Sequence, residues 1–521
     1  MATLKEMERN EAKNGFAELV EKTHSYQDGE INMNEYKAVS GRRGTFSQRG
    51  KKKNMARIRM TGGRICREDL RFLVDTAKKY DVDHIHLATC QSIQLHDVSP
   101  EQVAGILQDA LEAGIVCFGT GGNFPRNIMC SPLSGVDPNE YFDVMPYALA
   151  AGKYLTEQLD NPEMPKKLKT AFSGAPDNIT HVTYRDLGFE ATPEGTFNVY
   201  AAGGLGPNPR VGVKVAENVD PDDILYHINA MVRTFQKYGA NKDQNKRRTR
   251  YMVEALGGDE GFRKAYTEIL EEVKKDPSLK LQGIVQDPVT KVGDGSVPRE
   301  DYRVIPQRQE GLYAVKWHPI AGRPPVDTLD AVACFVEKTD QAELRNSPYQ
   351  SMYILNLTGD EANEVLEIID KDSAHNDFES SVACAGSSIC QIGLRDSQAL
   401  VEAMIKRFRE EGLPGNVLPL VHVSGCRNSC GAHQTAKIGF QGFFKMEDKK
   451  PMPAFDLCLY GSNNPEHSRM GKMIGAILSE DIPEFLIELG KTVEASGKDY
   501  DAWVEANPTG VEEIARKYID K

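Results

Sequence analysis

The chain has 521 residues and a formal net charge of −13. That length supports roughly two to four domains with an ample core, and the acidic balance excludes a general nucleic-acid binder, which needs a basic face over the phosphates. No apolar run approaches a membrane span and the first residues hold no apolar signal core, so the expectation is a cytoplasmic protein.

Residues 1–55 read as an N-terminal arm, with a short helix over 16–23 and a basic end at Lys51, Lys52 and Lys53. A strand over 56–61 is closed by Gly62 and Gly63. The spacing of Leu70, Leu73, Val74 and Ala77 predicts a helix over 68–79. Strands follow over 84–88 and 92–95. Ser99, Pro100 and Gln102 form a helix start, with Ser at the N-cap and Gln reaching back, ahead of Val103, Ile106, Leu107 and Leu111 on one face. Strand–helix–strand–helix order of this kind predicts a small α+β sandwich.

The order returns with a strand over 312–317, a helix over 326–337, a strand over 351–357 and a capping box at Thr358 to Glu361. Gln91-Ser92 and Gln350-Ser351 fall at matching places. Ala171-Phe172-Ser173-Gly174 precedes Leu187-Gly188-Phe189 as His422-Val423-Ser424-Gly425 precedes Ile438-Gly439-Phe440. The chain therefore reads as an internal duplication of 56–210 and 312–470, far longer than any solenoid period. Residues 245–302 read as charged and mostly helical, with a Gly/Pro-rich linker at 293–298. A duplicated chain folds with pseudo-two-fold symmetry, and a cofactor belongs at the interface of its halves.

Ten cysteines in such a chain are thiols or metal ligands, not a disulfide framework. Cys66, Cys117, Cys334 and Cys458 read as plain core. Cys384 and Cys390 form C-x5-C, and Cys426 and Cys430 form C-x3-C, with 35 residues between the pairs. Zinc knuckles use C-x2-C and ferredoxins C-x2-C-x2-C, so four thiolates in this spacing favour a cubane 4Fe–4S cluster, with zinc or coincidence as alternatives. Gly386, Gly425 and Gly431 let backbone approach a bulky group. Four cations lie in the other copy, at Arg59, Arg126, Lys167 and Lys169; each alone is ordinary surface charge, but converging they would bind an oxyanion and supply protons.

This pattern resembles the sirohaem-containing sulfite and nitrite reductase family, of the assimilatory, ferredoxin-dependent type. The resemblance rests on Cys384-x5-Cys390, Gly425-Cys426-Arg427-Asn428-Ser429-Cys430-Gly431, Arg59 with Gly62-Gly63, Gln91-x2-Gln94-Leu95-His96, Arg126-Asn127 and Lys167-Leu168-Lys169, and it covers about 40–475. It implies a three-domain, pseudo-two-fold α/β (α+β) haemoprotein fold. Its divisions here would be an arm at 1–55, a duplicated ferredoxin-like domain at 56–122 plus 311–383, a first cofactor and substrate domain at 123–310, and a 4Fe–4S and sirohaem domain at 384–521. It implies that Cys384, Cys390, Cys426 and Cys430 hold the cluster and that Cys430 also bridges to sirohaem iron. It assigns the anion to Arg59, Arg126, Lys167 and Lys169, and sirohaem to Arg57, Gln91, Gln94, His96, Asn127, Arg210 and Asn428 as a group. The reaction implied is a six-electron reduction of sulfite to sulfide or nitrite to ammonia.

Two departures stand out. Cys90 occupies a position where the family carries a cofactor-facing arginine, and Arg427 replaces a proline beside the cluster. Lys169 resembles the sulfite reductases, whereas Asn428-Ser429-Cys430-Gly431 is closer to nitrite reductases; sulfite is preferred because Lys169 is nearer the substrate. A redox-inert metal scaffold and a corrin-pathway oxygenase are the rival readings. No nucleotide-binding fingerprint is present, so electrons come from a separate ferredoxin or flavoprotein, docking at Arg42-Arg43 with Lys51–Lys53 or at Arg247-Arg248.

Overall fold

The computed structural model describes residues 2–240, 242–284 and 288–521. In the first copy, strands Asn54–Ile58, Ile85–Leu87 and Ile93–Val98 join Thr45–Ser47 in a four-stranded antiparallel sheet, backed by helices Arg67–Lys79 and Pro100–Glu112. In the second, strands Tyr313–Trp317, Glu343–Asn346 and Met352–Leu357 carry helices Val326–Lys338 and Gly359–Ile369. The short strand Arg64–Ile65 of the first copy pairs with Glu343–Asn346 of the second, so the first copy adds an edge strand to the sheet of the second. Leu70, Leu73 and Val74 of one copy and Leu329, Val332 and Val336 of the other lie in one continuous core. Both predicted capping boxes form, Ser99 accepting from the Gln102 amide and Thr358 from that of Glu361.

Each unit is followed by a mixed sheet of the same design. Met129–Cys130, Thr170–Ser173 and Leu187–Ala191 run parallel, then Phe197–Ala201 and Val213–Val219 turn antiparallel. Val382–Ala383, Val421–Ser424 and Ile438–Glu447 repeat the parallel run, and Lys450–Leu459 and Lys472–Leu478 the antiparallel one. Each mixed sheet has its own core. The first is packed by helices Met145–Lys153, Ile224–Tyr238 and Asp259–Val273, the second by Ser397–Glu411 and Ile482–Ala495.

Two buried glutamines sew the copies together. Gln91 and Gln350 both adopt left-handed backbone, with φ of 59° and 62°. Gln91 donates to Cys130 O at 2.9 Å and to Asn346 O of the other copy at 2.6 Å. Gln350 donates to Ala383 O at 2.7 Å and to Leu87 O of the other copy at 2.8 Å. Gly63 is required where this happens: a Cβ there would lie 2.3 Å from both Asn346 O and Gln91 Nε2.

Several expectations are corrected. Within 1–55 the helix expected over 16–23 forms as Ala17–Gln27, helices Leu4–Ala12 and Met33–Ser40 flank it, and Phe16 and Leu19 enter the core of the first unit. The apolar residues of the two flanking helices are too sparse for a helical period to show. The stretch 245–302 is helical at Arg250–Ala255 and Asp259–Val273 and irregular beyond Leu279, with 285–287 outside the described residues. Cys117 and Cys458 are buried as expected. Cys66 instead caps helix Arg67–Lys79, and half-buried Cys334 accepts from Arg71. Among the described residues no helix is long and apolar enough to cross a membrane.

Candidate cofactor and anion site

The four cysteines meet because two parallel strands end side by side. Val382–Ala383 pairs with Val421–Ser424, and the chain leaves both at their carboxyl ends, where open α/β sheets place their ligands. Cys384 follows the first strand and Cys426 follows the second. The Gly425 amide donates to Cys384 Sγ at 3.1 Å, and Ser397 Oγ lies 3.2 Å from the same sulfur. Cys390 ends the helical turn Gly386–Ile389. Gly425 is held so tightly that a Cβ would lie 2.4 Å from Arg395 O. Thr89 of the first copy donates to Cys430 O at 2.7 Å, fixing the last thiol against the opposite half.

All four thiols line one cavity of about 390 Å³, together with Arg57, Gln94, His96, Arg126, Asn127, Lys167 and Lys169. A second cavity, of about 660 Å³, lies alongside. Thr89, Lys167, Lys169, Asn428 and Cys430 belong to the walls of both, so Cys430 and the lysine pair stand at the junction. Burial pushes the Cys384 thiol up to about 12, with Cys430 adding to the effect, and burial also raises Cys426. Metal binding displaces such protons, because thiolate is the ligating form. Among the described residues no three His, Cys, Asp or Glu side chains are grouped as a site for one ion. The donor set is four sulfurs around a shared void, which fits a cluster better than mononuclear zinc. Buried Asn127 Oδ1 and His96 Nδ1, on the wall of the cavity, have no protein partner, as expected of groups that face a polar cofactor.

The cations divide into those on the wall and those tied elsewhere. Lys167 is pushed down to about 7, chiefly by burial and then by Arg248, Lys169 and Arg126. Lys169 lies within electrostatic reach of Cys90, and its backbone N–H donates to Asp186 at 2.8 Å. Arg126 reaches the wall, but its guanidinium also gathers the carbonyls of Gly119, Gly121, Gly122 and Phe124 at 2.7–3.3 Å. Burial and the neighbouring Arg57 and Arg59 pull Arg126 down to about 9.

Arg59 does not reach either cavity. Its Nε and Nη2 donate to Val116 O at 2.9 Å and Phe118 O at 3.0 Å, and buried Glu8 lies within electrostatic reach. Arg57, two residues earlier, lines the cavity and donates to Thr120 O at 2.9 Å. Gln91 is spent on the inter-copy bonds described above. Arg210 is paired with Asp259 at 2.7 Å, away from both cavities. Sequence reasoning missed Arg185 and Arg250 on the second cavity, because isolated arginines between strands carry no motif. Of the expected docking groups, Arg43 is buried against Glu11 and Glu18, Arg42 is paired with the same acids, and Arg248 is paired with Asp186. Lys51, Lys52 and Lys53 are exposed, and the adjoining Arg49 donates to Gly393 O at 2.5 Å, on the loop that carries Cys390.

A duplicated α/β protein with four convergent thiols and a cation-lined void at the seam of its halves is an iron–sulfur oxidoreductase by architecture. Comparison with known proteins gives the family. The nitrite/sulfite reductase ferredoxin-like half domain matches residues 46–113 and 305–372, and the nitrite and sulphite reductase 4Fe-4S domain matches 121–274. Together these cover more than half of the chain. The chain is 27% identical over 449 residues to sulfite reductase [ferredoxin] 1 of Mycolicibacterium paratuberculosis, covering 83% of this chain and 78% of the relative. It is 28% identical over 476 residues to the chloroplastic ferredoxin–nitrite reductase of Arabidopsis thaliana, covering 86% and 78%. The solved structure of Mycobacterium tuberculosis NirA superposes with a TM-score of 0.76 over 91% of each chain at 23% identity, a likeness of fold. The chain belongs to the sirohaem nitrite/sulfite reductase family, and its cofactors are a 4Fe–4S cluster and sirohaem. The 4Fe-4S domain match falls on the first mixed-sheet copy, which lacks the four cysteines.

Proposed function

We propose that this enzyme reduces sulfite to sulfide, taking electrons one at a time from a ferredoxin. The observation that carries the reading is Lys169, on the wall of both cavities beside Cys90 and in line with Lys167. In this reading Cys384, Cys390, Cys426 and Cys430 hold the cluster, and Cys430, at the junction of the cavities, also meets the sirohaem iron. When bound, the coupled cluster and sirohaem supply single electrons and an iron to which the anion attaches. Arg57 and Arg126 act as fixed positive charge, since guanidinium stays protonated at cellular pH. Lys167, with its depressed pKa near 7, is poised to give its Nζ proton to an oxygen leaving the substrate. Lys169 holds the anion by a charge-assisted hydrogen bond. Gln94, His96, Asn127 and Asn428 would hold the sirohaem from the wall; Arg59, Gln91 and Arg210 are withdrawn from the site. The division of labour follows the duplication, with 56–210 supplying the cations and 312–470 the thiols.

Nitrite to ammonia is the second reading, favoured by the Asn428-Ser429-Cys430-Gly431 stretch. The two are separated by turnover of both anions in wild type and Lys169→Asn. Removing one charge-assisted bond costs about 1.5–3 kcal/mol, or roughly 10–150-fold in kcat/KM. Sulfite, which carries more negative charge than nitrite near neutral pH, should lose at least tenfold more. Equal losses would remove the case for sulfite. A cytoplasmic enzyme with a small acidic donor fits the exposed Lys51–Lys53 turn beside the Cys390 loop.

A further inference from the structure

Cys90 lines the first cavity without a cation to offer, at the position where the family pattern places an arginine. Sirohaem carries many carboxylates, and a site that loses one arginine must neutralise them otherwise. Arg185 stands across the junction. It precedes strand Leu187–Ala191 and is 7% exposed, and its guanidinium lines the second cavity. Its Nε donates to Thr180 O at 2.8 Å, which fixes the side chain. Nη1 and Nη2 make no hydrogen bond to protein among the described residues, in contrast to Arg126, whose terminal nitrogens gather four carbonyls. Cys90 and Arg185 lie within electrostatic reach of each other, although burial is the larger influence on both. Conversely, burial would raise the Cys90 thiol, but Lys169 and Arg185 outweigh it and hold the thiol down at about 7. The two side chains therefore lie on the walls of adjoining cavities, on either side of the junction formed by Thr89, Lys167, Lys169 and Cys430.

We infer that Arg185 replaces the arginine missing at position 90, presenting Nη1 and Nη2 to a sirohaem carboxylate from the opposite wall. The fork suits this task because two parallel N–H groups match the two oxygens of a carboxylate. Asp186, its neighbour in sequence, does not compete: that carboxylate is taken by Arg248, Thr249 and the Lys169 amide.

This assignment rests on the sirohaem site proposed above. The test is a titration of cofactor-depleted, cluster-loaded full-length protein with sirohaem, followed by its Soret absorption, with iron and sulfide per chain as the control for the cluster. Arg185→Gln should weaken sirohaem binding about 10- to 100-fold, the range for one charge-assisted contact, with cluster iron unchanged. Adding Cys90→Arg to Arg185→Gln should recover most of the loss, because a guanidinium returns to the wall of the joined cavities. Wild-type affinity in Arg185→Gln, or no recovery in the double variant, would overturn the assignment. So would loss of fold or of cluster iron in both Arg185→Gln and Arg185→Lys, which would mark a structural arginine. Failure of the unaltered chain to take up sirohaem would instead bring down the site reading itself.

Discussion

Arg59 and Arg57 give the sharpest contrast between motif and geometry. Arg59 carries the family pattern, yet its guanidinium donates to two buried carbonyls, Val116 O and Phe118 O, and faces Glu8. Arg59→Met leaves both acceptors without that donor. A hydrogen bond from a charged donor is worth about 1.5–3 kcal/mol, so two give a loss of about 3–6 kcal/mol, a large share of the 5–15 kcal/mol typical of a folded domain. Arg57 makes one carbonyl bond, to Thr120, and otherwise faces the cavity. Arg57→Met should therefore cost about 1–3 kcal/mol while reducing turnover per bound sirohaem more than tenfold. The assay pairs thermal unfolding, followed by near-ultraviolet circular dichroism, with turnover normalised to sirohaem content. Arg59→Met should melt well below wild type and keep near-normal turnover per loaded molecule. If it instead melts like wild type and loses turnover, Arg59 is an anion clamp and the reasoning from its hydrogen bonds fails.

Two further outcomes are expected. Burial pushes Glu8 up to about 7 against an ordinary 4.5, with Arg59 and the Cys117 amide partly opposing. Between those values the folded chain keeps a proton that the unfolded chain releases, so this group's contribution to stability falls as pH rises from about 4.5 to 7, by about 3 kcal/mol in all. Glu8→Gln keeps the acceptor for Cys117 and should flatten that slope in parallel melts at pH 5 and pH 8; an unchanged slope refutes it. Gln91→Leu and Gln350→Leu should destabilise to similar degrees, by about 3 kcal/mol or more, since each leaves several buried backbone groups unpaired across the copies. A large cost in one and none in the other, by denaturant titration, would show that the seam is not symmetric.

The duplication was legible in the residues because it is written in local signals: capping boxes at Ser99 and Thr358, glutamines at 91 and 350, and equal glycine intervals after matching strands. The four cysteines were legible because ligand chemistry demands one residue type. Of the N-terminal helices the one near 16–23 was legible, but Leu4–Ala12 and Met33–Ser40 were not, since a few large buried side chains such as Tyr36 leave no period to read. Arg59 was misplaced for a related reason. Alternation along a strand puts residues 57 and 59 on one face but cannot say which of two arginines reaches a void and which is drawn to nearby carbonyls.

By itself the sequence determined what is local or compositional: the paired copies, the thiol set, the lysine pair and the departure at Cys90. Only the tertiary structure decided which cations share the void. Arg57 and Arg185 lie far apart along the chain, yet they line adjoining cavities that share Thr89, Lys167, Lys169 and Cys430. Electrostatic and hydrogen-bonding competition is settled by distances in space, and spacing along the chain does not encode those distances.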